Sequence, residues 1–377
     1  MFDIDKNLEY IINTPLSNNF YSQDIYNKNL IFYGYGKLGE MALTLISDSN
    51  IKPKYIVDQN IQGIHNGIPI VNPCDIKEED LESSIFVICI SSISYNSISS
   101  FLRKLGCENI IQFYDFAQIV IPKLLSNGWE KFNLTNIDIL KIKEVCINLN
   151  HDKNSLIHYF QFLWWRLKRI EKIYDNYPIL SNTRYFDAPC FPKLSENENF
   201  LDAGAHHGTT INHFLNSTNK TFANIWAFEP DEKNLDILKK SIDESLKVKI
   251  NIFNIALSNI EDSLDFEDNL GFASKIKVDG SKKVIVKKID SLKLNPSIVK
   301  LHVEGNELQV LEGAKQIITI HRPIIMVLAD HNDDGLYKIA DFLINLKNYK
   351  LYFYLHDYCG NSAIFYAIPK ERDKNEK

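Results

Sequence analysis

The stretch Phe200-Leu201-Asp202-Ala203-Gly204-Ala205-His206-His207-Gly208-Thr209-Thr210, followed by Trp226-Ala227-Phe228-Glu229-Pro230, constrains the fold of this chain more than any other feature. The apolar residues leading into Asp202 read as a buried parallel strand. Gly204 and Gly208 suit a tight turn that lets backbone approach a ligand before a helix opens at Thr209. The second apolar run ends in Glu229, about 20 residues past the last glycine, where a carboxylate at a strand tip accepts hydrogen bonds from ribose hydroxyls. The two segments together predict a nucleoside-cofactor cradle in an α/β sheet. The turn is D-x-G-A-x-x-G, not the G-x-G-x-x-G of a dinucleotide site. S-adenosylmethionine has no pyrophosphate, and its sulfonium and ammonium groups tolerate an acid such as Asp202, so the turn favours it over NAD. Taken alone, Asp202 reads equally as a turn or capping residue; Glu229 in register tips the balance.

Further segments continue in order: Asn254-Ile255-Ala256-Leu257-Ser258, Lys288–Leu292, Val299–Ala314, Arg322-Pro323-Ile324-Ile325 and Phe365–Pro369. With Asn199–Thr210 and Ala227–Pro230 they resemble the FkbM-type S-adenosylmethionine-dependent methyltransferases, and the V-E-G-x-E-x-x-x-L-x-G-A run over Val303–Ala314 is the most specific element. The resemblance spans residues 185–370 and implies a seven-stranded class I methyltransferase sheet, with a reversed final hairpin at Leu351–Leu355 and Ser362–Ile368. It implies cofactor contacts from Asp202, Gly204, Ala205, His206, Gly208 and Thr209 on the turn, from Glu229 and Pro230, and from Asn254, Ile255 and Ala256. O-methylation of a sugar hydroxyl, in a nucleotide-sugar or surface-glycan pathway, is the activity it implies. Many members of the family carry Asp where this chain has His302, so the role of that position is not inherited.

A hydroxyl is too weak an acid to ionise before methyl transfer, so a positioned base is required. Val299–Glu304 reads as the fourth strand of the sheet, and alternation along it puts His302 and Glu304 on one side, at the edge facing the cofactor. His302 is the first candidate for the base, since imidazole titrates near neutral pH. Glu304 is its orienter, and His331, after the apolar run Ile324–Leu328, reaches the same rim. The plain alternative is a satisfied core histidine. A divalent metal gathered by His302, Glu304, Asp330 and His331 is disfavoured, because hard cations prefer carboxylates to imidazoles.

A second glycine turn lies upstream. Leu30–Tyr33 reads as a strand running into Gly34-Tyr35-Gly36-Lys37-Leu38-Gly39, and Tyr55-Ile56-Val57 as a second strand ending in Asp58, about 20 residues on. With Gly63, Gly67, Ile68 and Pro69, this unit resembles the small Rossmann-like domains attached to some sugar acyltransferases and sugar methyltransferases. Gly34, Gly36, Lys37, Gly39 and Asp58 are the candidates for holding a nucleotide or nucleotide-sugar; a degenerate scaffold is the alternative. No Tyr-x-x-x-Lys pair accompanies them, so an NAD-linked sugar oxidoreductase is the minor enzymatic reading and a nucleotide-sensing scaffold the non-catalytic one.

These expectations divide the chain into an arm (1–27), a Rossmann-like domain (28–120), a helical connector (121–184), the methyltransferase domain (185–370) and a frayed tail (371–377). In the connector, Ile121–Leu125, Ile137–Leu149 and Leu156–Ile170 read as helical; the last two lack Pro and Gly, and Leu156–Ile170 is apolar nearly all round, as an interdomain brace or homo-oligomer interface would be. A formal net charge of −6 gives no general attraction to nucleic acid, so the expected partner is a small-molecule or glycan acceptor. Six scattered cysteines without C-x-x-C pairs suit reduced thiols and a cytoplasmic setting. The absence of a leader and of any apolar run of about 18 residues predicts neither secretion nor a membrane span.

Overall fold

The computed structural model describes residues 2–16, 22–47, 51–120, 134–181, 183–267, 275–276, 280 and 282–374. The chain forms two compact units, one of Met1–Asn133, Phe160–Ser181 and Asp357–Asn361, the other of Leu134–Tyr159, Asn182–His356 and Ser362–Lys377. The helix Lys153–Lys168 contains the division at Tyr159 and Phe160. Its residues from Leu156 to Leu167 are all buried. The expected segment Ile121–Leu125 lies outside the described residues.

In the first unit, six strands run β1 (Leu30–Tyr33), β2 (Tyr55–Val57), β3 (Gly63–His65), β4 (Ile68–Val71), β5 (Ile85–Ile88) and β6 (Asn109–Gln112). They form one sheet in the order β3-β4-β2-β1-β5-β6, parallel except for the β3–β4 hairpin. The central strands are continuous apolar runs because a parallel sheet is covered on both faces. Gly34 turns the chain out of β1 at φ +109°, and a Cβ on Gly39 would lie 2.3 Å from the Gly34 carbonyl oxygen. Only glycine lets the helix Lys37–Ile46 start so close to the strand end.

The second unit is built on β7 (Asn199–Ala203), β8 (Asn224–Phe228), β9 (Ile250–Phe253), β14 (Ile298–Leu301), β15 (Ile324–Leu328), β16 (Tyr349–Leu355) and β17 (Ala363–Pro369), with four further strands, β10 (Ala256–Leu257), β11 (Asp262–Glu267), β12 (Lys275–Ile276) and β13 (Lys282–Lys287), in a small separate sheet. The large sheet has the order β16-β17-β15-β14-β7-β8-β9, and only β17 runs antiparallel to its neighbours, as the reversed hairpin requires. Two Rossmann-like units, one of them built on a seven-stranded sheet with a reversed final hairpin, are thus present as expected. Strand order reverses between β7 and β14, which opens a crevice beyond their carboxyl ends. Every residue of β7 from Phe200 to Ala203 is buried, and so is all of β14 and β15.

Two expectations need correction here. The fourth strand ends at Leu301, not at Glu304: Glu304 has φ +52° and Gly305 φ +99°, a left-handed pair that ends extended pairing. The tail is not frayed over its whole length. Lys370–Arg372 makes a 3₁₀ turn, Arg372 Nη2 lies 2.7 Å from Glu198 Oε1, and Asp373, 1 % exposed, accepts a 2.8 Å bond from the Tyr352 hydroxyl. Residues 375–377 lie outside the described residues. No helix among the described residues is long and apolar enough to cross a membrane.

Candidate active site

The glycine turn after β7 is held from below. Asp202 is fully buried, and Lys300, its register partner on β14, places Nζ 2.8 Å from its carboxylate. The same ammonium donates to the carbonyl oxygens of Gly204 at 2.7 Å and Ala203 at 3.3 Å. Burial pushes the Asp202 carboxyl up and Lys300 draws it back down. Asp202 therefore acts through Lys300 on the shape of the turn. Sequence reasoning missed Lys300; its signal was a lysine inside the apolar run Val299-Lys300-Leu301.

Above this pair the backbone turns sharply. Gly204 has φ +73°, and a Cβ there would come within 1.9 Å of the His302 carbonyl oxygen, so the turn and the end of β14 are pressed together. Ala205 is buried, His206 sits at φ +47°, and Gly208 at φ +83° caps the helix Thr209–Ser217. Glu229, 5 % exposed at the end of β8, accepts the His206 N–H at 2.8 Å and the Asp231 N–H at 2.9 Å. Asn254 donates through Nδ2 to the carbonyls of Glu229 and Pro230. Turn, strand tip and third segment thus meet at Glu229, while Ile255 and buried Ala256 lead into the small sheet.

Burial pushes the Glu229 carboxyl up to about 7, against the pull of the Asp231 and His206 amides. Its folded-state value lies above its unfolded one, so its contribution to stability is complete below about pH 4.5 and is lost as pH rises through about 7. The full loss is roughly 3 kcal/mol at 1.36 kcal/mol per pH unit. Glu229→Gln is therefore expected to flatten the dependence of melting temperature on pH between about 4.5 and 8. A wild-type and variant pair with parallel pH profiles would show that the carboxylate carries no such burden.

The histidines beyond the turn form a compact cluster. His302 Nε2 lies 3.1 Å from Glu304 Oε1, and its Nδ1 lies 3.4 Å from the Tyr185 hydroxyl. His331 Nε2 lies 3.5 Å from the same Glu304 oxygen, while its Nδ1 meets Glu307 Oε1 at 2.7 Å. The two imidazoles stack with centroids 4.9 Å apart. Glu307, 1 % exposed, also accepts the Val303 and Gly305 N–H groups at 2.9 and 3.0 Å, so one carboxylate fixes both His331 and the left-handed turn. His302 and Glu304 are brought together by that turn and not by strand alternation. Burial, His331 and Lys300 hold His302 well below the usual imidazole range, which leaves it neutral at neutral pH. Burial also opposes charge on His331, but Glu304 and Glu307 outweigh it and raise the ring to about 10. Sequence reasoning quoted Glu307 in the V-E-G-x-E run without a role for it. Asp330 accepts the Ser362 N–H at 2.8 Å.

In the first unit the upstream turn is ordered by its own acid. Asp58 accepts the Tyr35 N–H at 2.7 Å through one oxygen and the Asn60 and Ile61 N–H groups through the other. Gly36 and Lys37 are exposed, and a Cβ on Gly36 would meet nothing within 4 Å.

Comparison with known proteins follows the same division. Residues 202–368 match the family model described as the methyltransferase FkbM domain. The solved structure of methyltransferase FkbM from Methylobacillus flagellatus KT is similar over 97% of this chain and 98% of its own, with TM-score 0.69 at 16% identity, which shows a shared fold. Precorrin-6y C5,15-methyltransferase from Geobacter metallireducens GS-15 covers 46% of this chain and 80% of its own at 12% identity, and its TM-score of 0.30 supports no argument. No curated protein matches the chain. The glycine turn, the buried ion pair that braces it and the acid at the next strand tip all fall within residues 202–368, the part of this chain that matches the FkbM methyltransferase domain.

Proposed function

We propose that the chain is an S-adenosylmethionine-dependent methyltransferase that methylates a sugar hydroxyl of a nucleotide-sugar or surface glycan. The observation that carries this reading is Glu229: a nearly buried carboxylate at the tip of β8 that accepts the His206 N–H of the glycine turn at 2.8 Å, its carboxyl pushed up to about 7 by burial. Such a group is costly to maintain unless a ligand uses it. The cradle fits the cofactor. Glu229 suits the ribose hydroxyls, the positive-φ turn at Gly204 and His206 presents backbone in place of side chains, and Gly208 opens the helix beside it.

When bound, S-adenosylmethionine supplies an electrophilic methyl group on a sulfonium. The chain's own part is to hold the turn through Lys300 and Asp202, to seat the ribose at Glu229, and to take the acceptor proton at the His302, Glu304 and His331 cluster, which borders the turn through the His302 carbonyl. Six free cysteines, five of them buried, support a reducing, cytoplasmic setting. Glu229→Ala is expected to weaken cofactor binding by roughly 1.5–3 kcal/mol, the worth of a charged hydrogen-bonding group. Isothermal calorimetry on the full chain reads this directly, and an unchanged affinity would remove Glu229 from the ribose. Native mass spectrometry of the purified protein separates the readings at once, since adenosylmethionine, NAD and no ligand differ in mass.

A second site in the first unit is favoured by the open space at Gly36, over the exposed start of the helix Lys37–Ile46. There the chain binds a nucleotide or nucleotide-sugar without redox chemistry. Gly36→Leu has room to fold, so its expected effect is at least a tenfold loss of nucleoside diphosphate affinity with stability unchanged. Full affinity in that variant would leave the unit as a scaffold.

A further inference from the structure

The cluster at the end of β14 has the composition and spacing of a metal centre. His302, Glu304 and His331 can each offer one ligand atom, an imidazole nitrogen or a carboxylate oxygen, and these atoms all lie within 4.8 Å of one another. Two of the three edges are shorter, 3.1 and 3.5 Å, both ending on Glu304 Oε1. An ion held at about 2.0–2.2 Å from each donor requires donors about 3.0–3.5 Å apart, so those two edges already have the right length and the two imidazoles need only draw together on the ion.

The outer partners match as well. A ligating imidazole usually engages its other nitrogen with a carboxylate or other polar group, which fixes the ring and selects the nitrogen that faces the ion. Here His331 turns Nδ1 to the buried Glu307, and His302 turns Nδ1 toward the Tyr185 hydroxyl, so both rings present Nε2 inward. Glu307 is itself fixed by two backbone amides from the turn that carries Glu304. Glu304 reaches the cluster only by adopting φ +52°, a conformation uncommon for a residue other than glycine and one that persists where the surroundings require it.

From this we infer that His302, Glu304 and His331 form a binding site for one divalent transition-metal ion, with Glu307 and Tyr185 as the groups that position its two imidazoles. Two imidazoles and one carboxylate suit Zn²⁺, Fe²⁺, Co²⁺ or Mn²⁺ and suit Mg²⁺ or Ca²⁺ poorly, because hard cations take oxygen ligands. The preference of hard cations argued against magnesium at these residues; it does not bear on a borderline ion. Three protein donors on one side leave positions for an oxygen ligand, the class to which an acceptor hydroxyl belongs. The site lies at the cluster assigned above to the acceptor proton, yet its occupancy is measured without acceptor or methyl donor and so stands or falls independently of the methyl-transfer reading.

The test uses the full chain, stripped with a chelator and titrated with Co²⁺ as the probe. The expected result is one ion per chain by elemental analysis, with a visible d–d absorption band that is lost on competition by Zn²⁺. Glu304→Gln, which preserves shape, and His331→Ala are each expected to abolish the band, with circular dichroism checking the fold. Glu307→Gln is expected to weaken Co²⁺ binding about 10–100-fold while leaving the band in place at saturation, the effect of a positioning group. Glu261→Gln, exposed and outside the cluster, is the control that keeps full binding. Wild-type protein that is folded and takes up no stoichiometric Co²⁺ overturns the inference, as does binding that survives undiminished in both Glu304→Gln and His331→Ala.

Discussion

Lys300→Met is expected to destabilise the methyltransferase unit by about 3–5 kcal/mol, the cost of leaving a buried charge without its partner. Asp202 is fully buried and Lys300 is 1 % exposed, so neither can turn to solvent when the other is removed. Lys300 also ties the carbonyls of Ala203 and Gly204, which adds the loss of two charge-assisted bonds and loosens the cofactor turn. Denaturant unfolding of Lys300→Met, Asp202→Leu and the double variant forms a cycle. The double variant should recover much of the single losses, since a buried pair exchanges for apolar groups at little cost, but not all, because the two carbonyl bonds stay broken. Strictly additive losses would show that the two residues do not act as a pair. Cofactor affinity measured on the same variants should fall with them, since Lys300 holds the Ala203 and Gly204 carbonyls of the turn.

His302→Ala is expected to leave cofactor binding nearly intact and to lower turnover about 10²-fold to 10⁴-fold, the usual worth of a group that handles the acceptor proton. The comparison is His331→Ala. His331 lies between Glu304 and Glu307, and Glu307 in turn holds the amides of Val303 and Gly305, so its removal should disturb the turn as well as the chemistry. Loss of stability together with turnover is therefore expected for His331→Ala, and loss of turnover alone for His302→Ala. Should His302→Ala keep near-wild-type turnover while His331→Ala loses it, the proton-handling role passes to His331. An ion at the cluster predicts the same losses, because either substitution removes a ligand; the Co²⁺ band is what distinguishes a metal-held cluster from a free imidazole base.

Much of the architecture was legible because it is encoded locally. Strands announce themselves as apolar runs of four or five residues, and the positions where they must turn into helices require glycine for steric reasons: Gly34 and Gly39 in one unit, Gly204 and Gly208 in the other. Glu229 was legible for the same reason, since an acid at the end of the strand after a glycine turn is a matter of spacing along the chain. The final antiparallel hairpin, β16 with β17, was equally a local signal.

What the sequence by itself determined, then, was the pair of strand–turn–helix units and the acid that faces the second turn, each set by side-chain periodicity and backbone sterics within a few tens of residues. What only the tertiary structure decided were the partnerships between segments about 25 to 100 residues apart. Asp202 was read as a ligand anchor from its place in the turn, while its partner Lys300 came into view only with the register of β7 against β14. Strand alternation put His302 beside Glu304 for the wrong reason, and the left-handed turn that joins them to His331 exists because Glu307 gathers two amides and an imidazole on one buried carboxylate. Charges and polar groups taken out of water must find partners wherever the fold places them, and that placement depends on register and packing across the sheet, which no local pattern along the chain records.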